Sequence, residues 1–306
     1  MSFQITGLNI LMLVALAIPG FILVKSKVLK PEAIPSFAVV LLYVCQPALS
    51  LYSFQQAMFS REMLLNLLIV FVSSLVLQLA VIGLCYLAFC KSYDDPKSRV
   101  CTVASACGNV GFFGVPMLQA LLPDNPEAII YSAVFIVSMN IIGWTLGMYI
   151  LSRDKKHISI KKFLLNPTTL ILLLALPLFF SKAVLPTVLM SWVTFFAKMA
   201  TPLAMTILGM RFASANMAEL FKGYKQYIAI SVKLVIFPLV TYLILMPFNF
   251  DPILKASIFI LSAMPPAAIS LNFAEITDTA PKTAASIVLI GSLLCIITLP
   301  LLMLLM

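Results

Sequence analysis

Charge is the scarcest property of this sequence. Only 10% of its 306 residues are Asp, Glu, Lys or Arg, where a soluble domain has roughly 25%. Hydrophobic residues make up 62% and mean hydropathy is +1.09, so no water-soluble fold can hide the apolar surface. Histidine is nearly absent too. His157 is the only one and sits in a basic loop, which leaves a His-based catalytic triad or a His-rich metal site nothing to build on. The six cysteines, Cys45, Cys85, Cys90, Cys101, Cys107 and Cys295, show no metal-ligand spacing and read as small buried hydrophobes. No metal or other cofactor is expected.

What the chain has instead is long apolar runs. A spanning helix needs about 20 such residues to cross ~30 Å of hydrocarbon, and ten stretches qualify: 7 to 24, 36 to 55, 63 to 90, 100 to 122, 127 to 151, 164 to 181, 187 to 210, 227 to 246, 253 to 274 and 284 to 304. The first reads as a span rather than a signal peptide, because it lacks a basic leading region and a small-residue cleavage pattern. The loops are short, so any chemistry belongs inside the bundle or at its mouths.

Lys and Arg are retained on the cytoplasmic side, and here they crowd one alternating set of loops. That set holds Lys25, Lys27, Lys30, Lys91, Lys97, Arg99, Arg153, Lys155, Lys156, Lys161, Lys162, Arg211, Lys222, Lys225 and Lys282. The other holds Arg61, Lys182 and Lys255. Both termini are therefore expected outside. The net charge of +9 reads as a skirt facing anionic lipid headgroups, not as a nucleic-acid surface.

Five spans per half predict an inverted repeat, residues 1–156 and 157–306, of the kind common in secondary transporters. Prolines recur in order: Pro19 with Pro177, Pro47 with Pro202, and Pro116 with Pro265. The fourth span reads Gly108-Asn109-Val110-Gly111-Phe112-Phe113-Gly114-Val115-Pro116, and the ninth contains Ala263-Met264-Pro265-Pro266-Ala267. Glycines and consecutive prolines predict breaks in both. Unwound backbone at membrane depth is tolerated only where protein buries it or a cavity lies beside it. Helices restarting near Val115 and Pro266 would aim partly positive N-termini at that cavity, a setting suited to a carboxylate.

These segments resemble the auxin efflux carrier family, which spans plant PIN proteins and bacterial malonate-type carriers. Asn109 followed by Gly114-Val115-Pro116 is similar to the family's fourth-helix motif, and Met264-Pro265 with Phe273-Ala274-Glu275 to its ninth-helix motif, here without the intervening Lys. Pro202-Leu203-Ala204 and Leu208-Gly209-Met210 resemble its seventh helix. The resemblance implies an all-α fold of ten helices in two inverted repeats, with helices 4 and 9 broken and crossing. It implies a scaffold of helices 1, 2, 6 and 7, a moving transport domain of 3–5 and 8–10, a homodimer, and small organic anions bound beside the crossover. The short Ser152–Phe163 connection, in place of a long mid-chain loop, favours a compact prokaryotic member in a bacterial inner membrane.

Asn109 is the foremost candidate ligand, with Gly114, Val115, Pro116, Met264, Pro265 and Pro266 around it. Asn140 precedes Trp144 in a pattern like the family's fifth helix. Gln46 either faces the cavity or satisfies carbonyls freed by Pro47. Ser270 and Asn272 either touch solute or make local hydrogen bonds. Gln78, Lys198 and Lys233 are further candidates. A charge at the bilayer centre costs about 2.5–3.5 kcal/mol on insertion scales, so each lysine should face water, a partner or an anion, unless Lys233 snorkels to the cytoplasm.

None of the eleven acidic residues lies mid-span, which removes the usual carboxylate for proton or sodium coupling. An intramembrane enzyme would need a nucleophile with its base, paired carboxylates or metal ligands there. A channel would need a repeated filter or pore-lining ring. The nearest rival reading is a sodium-coupled bile-acid-type organic anion symporter, which would place sodium ligands beside the crossover.

Overall fold

A computed structural model describes residues 8, 11–12, 15–57, 60–159, 161, 164–165, 167–181, 183–214 and 223–305. They are helical almost throughout, as a chain in lipid must be to satisfy its backbone internally. Six helices are long and apolar enough to cross a membrane: α2 (Pro31–Gln56), α3 (Arg61–Ser92), α6 (Glu127–Ser152), α8 (Thr187–Ser214), α9 (Lys225–Leu245) and α12 (Pro281–Leu305). Shorter ones lie between them: α1 (Ile18–Lys25), α4 (Pro96–Ala106), α5 (Val110–Leu121), α7 (Pro167–Phe180), α10 (Pro252–Ser262) and α11 (Ala268–Ile276). The beginning of the first expected span lies largely outside the described residues.

Local chemistry sets several boundaries. Ser60 caps α3 by accepting from Met63 N, while Asp95 and Asp251 cap α4 and α10, each with proline at the first helical position, where the missing N–H costs nothing. Lys225 closes the start of α9 onto this α4 cap, 2.9 Å from Asp95 and 2.8 Å from Ser98. Proline also explains three widened turns. The π turns Leu41–Cys45, Val110–Gly114 and Val232–Ile236 each end two residues before a proline: Pro47, Pro116 and Pro238. A proline cannot bond the carbonyl four residues back and its ring crowds that oxygen. Here the carbonyl falls within the π turn, whose extra width relieves the clash.

This corrects one expectation. The broken fourth span restarts at Val110, not near Val115, so Pro116 lies inside a helix already under way. The unwound residues are Cys107, Gly108 and Asn109.

The helices pack in two groups. In one, α8 lies against α1 and α2, and α7 against α2. In the other, α3 packs on α4 and α6, α9 on α4 and α12, α10 on α6, and α11 on α12. The groups meet where α2 and α7 touch α6 and where α8 touches α5. Much of the outer surface is large and apolar, as at Leu64, Leu65, Leu68, Val72 and Val76 along α3, which in a bilayer is the lipid-facing side.

The contact between α1 and α8 depends on two glycines. A Cβ on Gly20 would strike the Thr206 carbonyl, and one on Gly209 the Ala17 carbonyl. Lipid supplies no hydrophobic drive between helices, so close backbone approach across small residues carries such pairs. Gly209→Val should therefore cost on the order of 1–3 kcal/mol from overpacking, read as a drop of several degrees in the melting temperature of detergent-purified protein. Gly83→Ala is the control, because a Cβ there meets nothing within 4 Å. Equal melting temperatures for the two variants would contradict the packing account.

Candidate functional site

The two breaks meet. Asn109 N donates to Pro265 O at 2.7 Å, Ala267 N donates to Cys107 O at 2.9 Å, and Gly108 stands opposite Pro266 as an isolated antiparallel bridge. Each unwound segment thereby satisfies backbone groups of the other. Pro265 and Pro266 suit this place because they bring no N–H of their own to satisfy. Room for them depends on Gly291 of α12, where a Cβ would come within 2.5 Å of the Pro266 ring.

Beside the paired breaks lies a cavity of about 340 Å³. Its walls are mostly apolar, including Phe112, Phe113, Leu208 and Ile269, with a few polar groups: Gln46, Asn109, Asn140, Asn272, Ser292 and Arg211. That mixture is typical of a small-molecule site. Trp144 and Phe273 meet edge to face along one side, their centroids 4.8 Å apart.

The polar groups differ in what they lack. Gln46 Nε2 donates to Gly111 O at 2.7 Å, so its amide joins α2 to the π turn beyond the first break while lining the cavity. The carbonyl it serves is not one freed by Pro47. Asn140 is buried at 1% exposure, and neither its Oδ1 nor its Nδ2 has a hydrogen-bond partner. A buried amide left so costs about 1–3 kcal/mol. Asn109 is partly exposed at the end of the break. Among the described residues, Arg211 brings the only cationic side chain to the lining, and no Asp or Glu lines the cavity. Glu275, one turn beyond Asn272, is exposed, and among the described residues no ion pair joins it to Arg211.

Of the residues singled out in the sequence, Gln46, Asn109, Asn140 and Asn272 are brought together here. Others stand behind the wall. Gly114, Val115 and Pro116 are buried; a Cβ on Gly114 would come within 3.1 Å of Leu261 and Met264, so this glycine brings the two broken segments close. Met264 is buried beneath the cavity, and Pro265 and Pro266 enter the pairing through their backbone. Ser270 Oγ donates to Ala267 O at 2.7 Å, the local bond that was its alternative. Gln78 is buried on α3, its Nε2 3.2 Å from Ser138 Oγ. Lys198 lines a different cavity with Gln119 and Asp124. Lys233 is 0% exposed and does not snorkel. Sequence reasoning overlooked Arg211 by ending the seventh span at Met210, whereas α8 continues to Ser214.

A chain of apolar spanning helices, with an irregular polar-lined break inside them, defines a multi-pass membrane transporter. A family model described as a membrane transport protein matches residues 7–162 and again 156–303. The chain belongs to that family, the auxin efflux carriers, whose members are transporters. No curated protein matches it.

The unpartnered amide gives a sharp test. Asn140→Leu keeps the volume and removes the unsatisfied groups, so the melting temperature should hold or rise while transport falls by at least tenfold. Loss of stability together with activity would show Asn140 to be a packing residue.

Proposed function

We propose that this protein carries small organic anions, carboxylates, across the membrane by alternating access at the paired breaks. The observation that carries the reading is the cavity's charge: Arg211 with the amides of Asn109 and Asn140, and no carboxylate among the described lining residues. Two helix starts add to this. α5 begins at Val110 and α11 at Ala268, and both residues line the cavity; Val110 N already donates to Gly108 O, but the positive pole of each helix start favours an anion. The apolar wall of Phe112, Trp144 and Phe273 would hold the organic part of the solute.

In this reading the chain has ten membrane-crossing segments in two inverted five-segment repeats. The fourth is α4 with α5, the ninth is α10 with α11, and they cross at their breaks. The group α1, α2, α7 and α8 is the scaffold, through which two copies pair, and the other helices move against it. The separate packing of the two groups and the paired breaks support this division. Both termini lie outside in this reading, supported by the basic loops, and the short mid-chain connection favours a bacterial inner membrane. With no carboxylate among the described residues of the cavity wall, transport is uniport or exchange without sodium. It is driven by the anion's gradient and by the membrane potential, worth about 2.3 kcal/mol per charge at 100 mV, so inside-negative voltage favours efflux.

Arg211→Gln tests the anion site. Losing a charged hydrogen bond costs about 1.5–3 kcal/mol, so KM for labelled malonate or a labelled aromatic monocarboxylate, whichever the wild type takes up into proteoliposomes, should rise about ten- to a hundredfold. An unchanged KM would remove Arg211 from the site. A steep sodium requirement in the wild type would favour the sodium-coupled symporter instead. For topology, a cysteine at Asp124 should react with an impermeant thiol reagent from outside, whereas one at Ser159 should not.

A further inference from the structure

Lys233 is the one fully buried cation among the described residues, and it has no carboxylate partner. Its side chain starts in the π turn Val232–Ile236 of α9 and ends against both broken segments. Nζ donates to Ser262 O, the last carbonyl of α10, at 2.9 Å. The Phe237 ring lies beneath it, 4.2 Å from Nζ to centroid. On the other side is Gly108, where a Cβ would come within 3.1 Å of Nζ.

The carbonyl end of a helix carries a partial negative charge and oxygens with no intrahelical partner. In membrane carriers with interrupted helices, such ends and unwound carbonyls are where a bound cation sits. Here Ser262 O points at an ammonium supplied by the chain, and Leu261 O lies 3.6 Å from the position a Gly108 Cβ would take. Lys233 neither lines the anion cavity nor reaches solvent, which leaves the α10 carbonyl end as the reason for its charge.

We propose that the Lys233 ammonium is a built-in cation, occupying a place at the carbonyl end of α10 that would otherwise take a small monovalent cation, so that removing it uncovers a latent sodium site. Lys233 is a positioning residue: it holds the α10 break against Gly108 and contacts no solute. The inference rests on the transporter reading for its consequence, a carrier that needs no sodium. Its test needs no solute.

Lys233→Ala and Lys233→Met are compared with wild type in detergent, in choline, sodium and methylammonium chloride at equal ionic strength. In choline, Lys233→Ala should melt about 10 °C lower. Sodium or methylammonium should restore more than half of that loss, saturably, and purified Lys233→Ala should bind about one ²²Na⁺ per chain where wild type binds none. Lys233→Met fills the space without charge or ligand, so it should stay destabilised in all three salts and bind no sodium. The proposal is overturned by several results: wild-type stability of Lys233→Met, equal melting of Lys233→Ala in all three salts, or failure of Lys233→Ala to fold even with sodium or methylammonium. A sodium requirement for wild-type flux with these binding results intact would count against the transport reading alone.

Discussion

Two backbone hydrogen bonds, Asn109 N to Pro265 O and Ala267 N to Cys107 O, are the constraint from which the rest of the molecule follows. An unpaired peptide group in hydrocarbon costs several kcal/mol, so neither α4 nor α10 could stop mid-membrane alone. Each break is possible because the other lies beside it. The surrounding features serve this pairing: glycine at 108, 114 and 291 for close approach, prolines at 265 and 266 without donors, and a π turn that absorbs Pro116 immediately downstream.

The pairing also arranges charge. α4 and α10 end at the breaks with their carbonyls, while α5 and α11 begin there with their amides. The amide ends open onto the cavity, where Arg211 and the Asn140 side chain stand. Ser262, at the carbonyl end of α10, is not among the lining residues, and Lys233 is buried against that end. A cation on the carbonyl side and an anion on the amide side each meet the helix pole of opposite sign. One side is filled by the chain. The other is where the proposed function seats a solute.

How much of this was legible in the sequence depends on which force fixed each feature. Helices such as α3 and α6 were plain, because lipid compels long apolar runs to satisfy their own backbone. Both breaks were visible as the Gly108–Pro116 cluster and the Pro265-Pro266 pair. The restart at Val110 was misplaced because the rule that proline opens a helix pointed to Pro116, while the chain absorbed that proline in a widened turn. Gln46, Asn109, Asn140 and Asn272, marked in the sequence as candidate ligands by their depth and by the family resemblance, line one cavity; their binding of a solute belongs to the proposed function. The lysines show the limit of that argument. Lys198 and Lys233 were marked by cost alone, and which way a side chain turns is set by tertiary packing; Arg211 escaped notice because its helix outlasts its apolar run.

The account's central claim is that a small organic anion binds in the cavity beside the paired breaks. The chain has two tryptophans, Trp144 and Trp192; Trp144 lines the cavity, and Trp192 is exposed on the outside of α8. In Trp192→Phe protein, tryptophan emission excited selectively over the nine tyrosines therefore comes from Trp144 alone. Titration with a panel of small mono- and dicarboxylic acids should give a saturable change in Trp144 emission for at least one of them, lost when Arg211 becomes Gln. A signal that stays flat across the panel, while the same acids are transported in proteoliposomes, would place the binding site elsewhere and contradict the account.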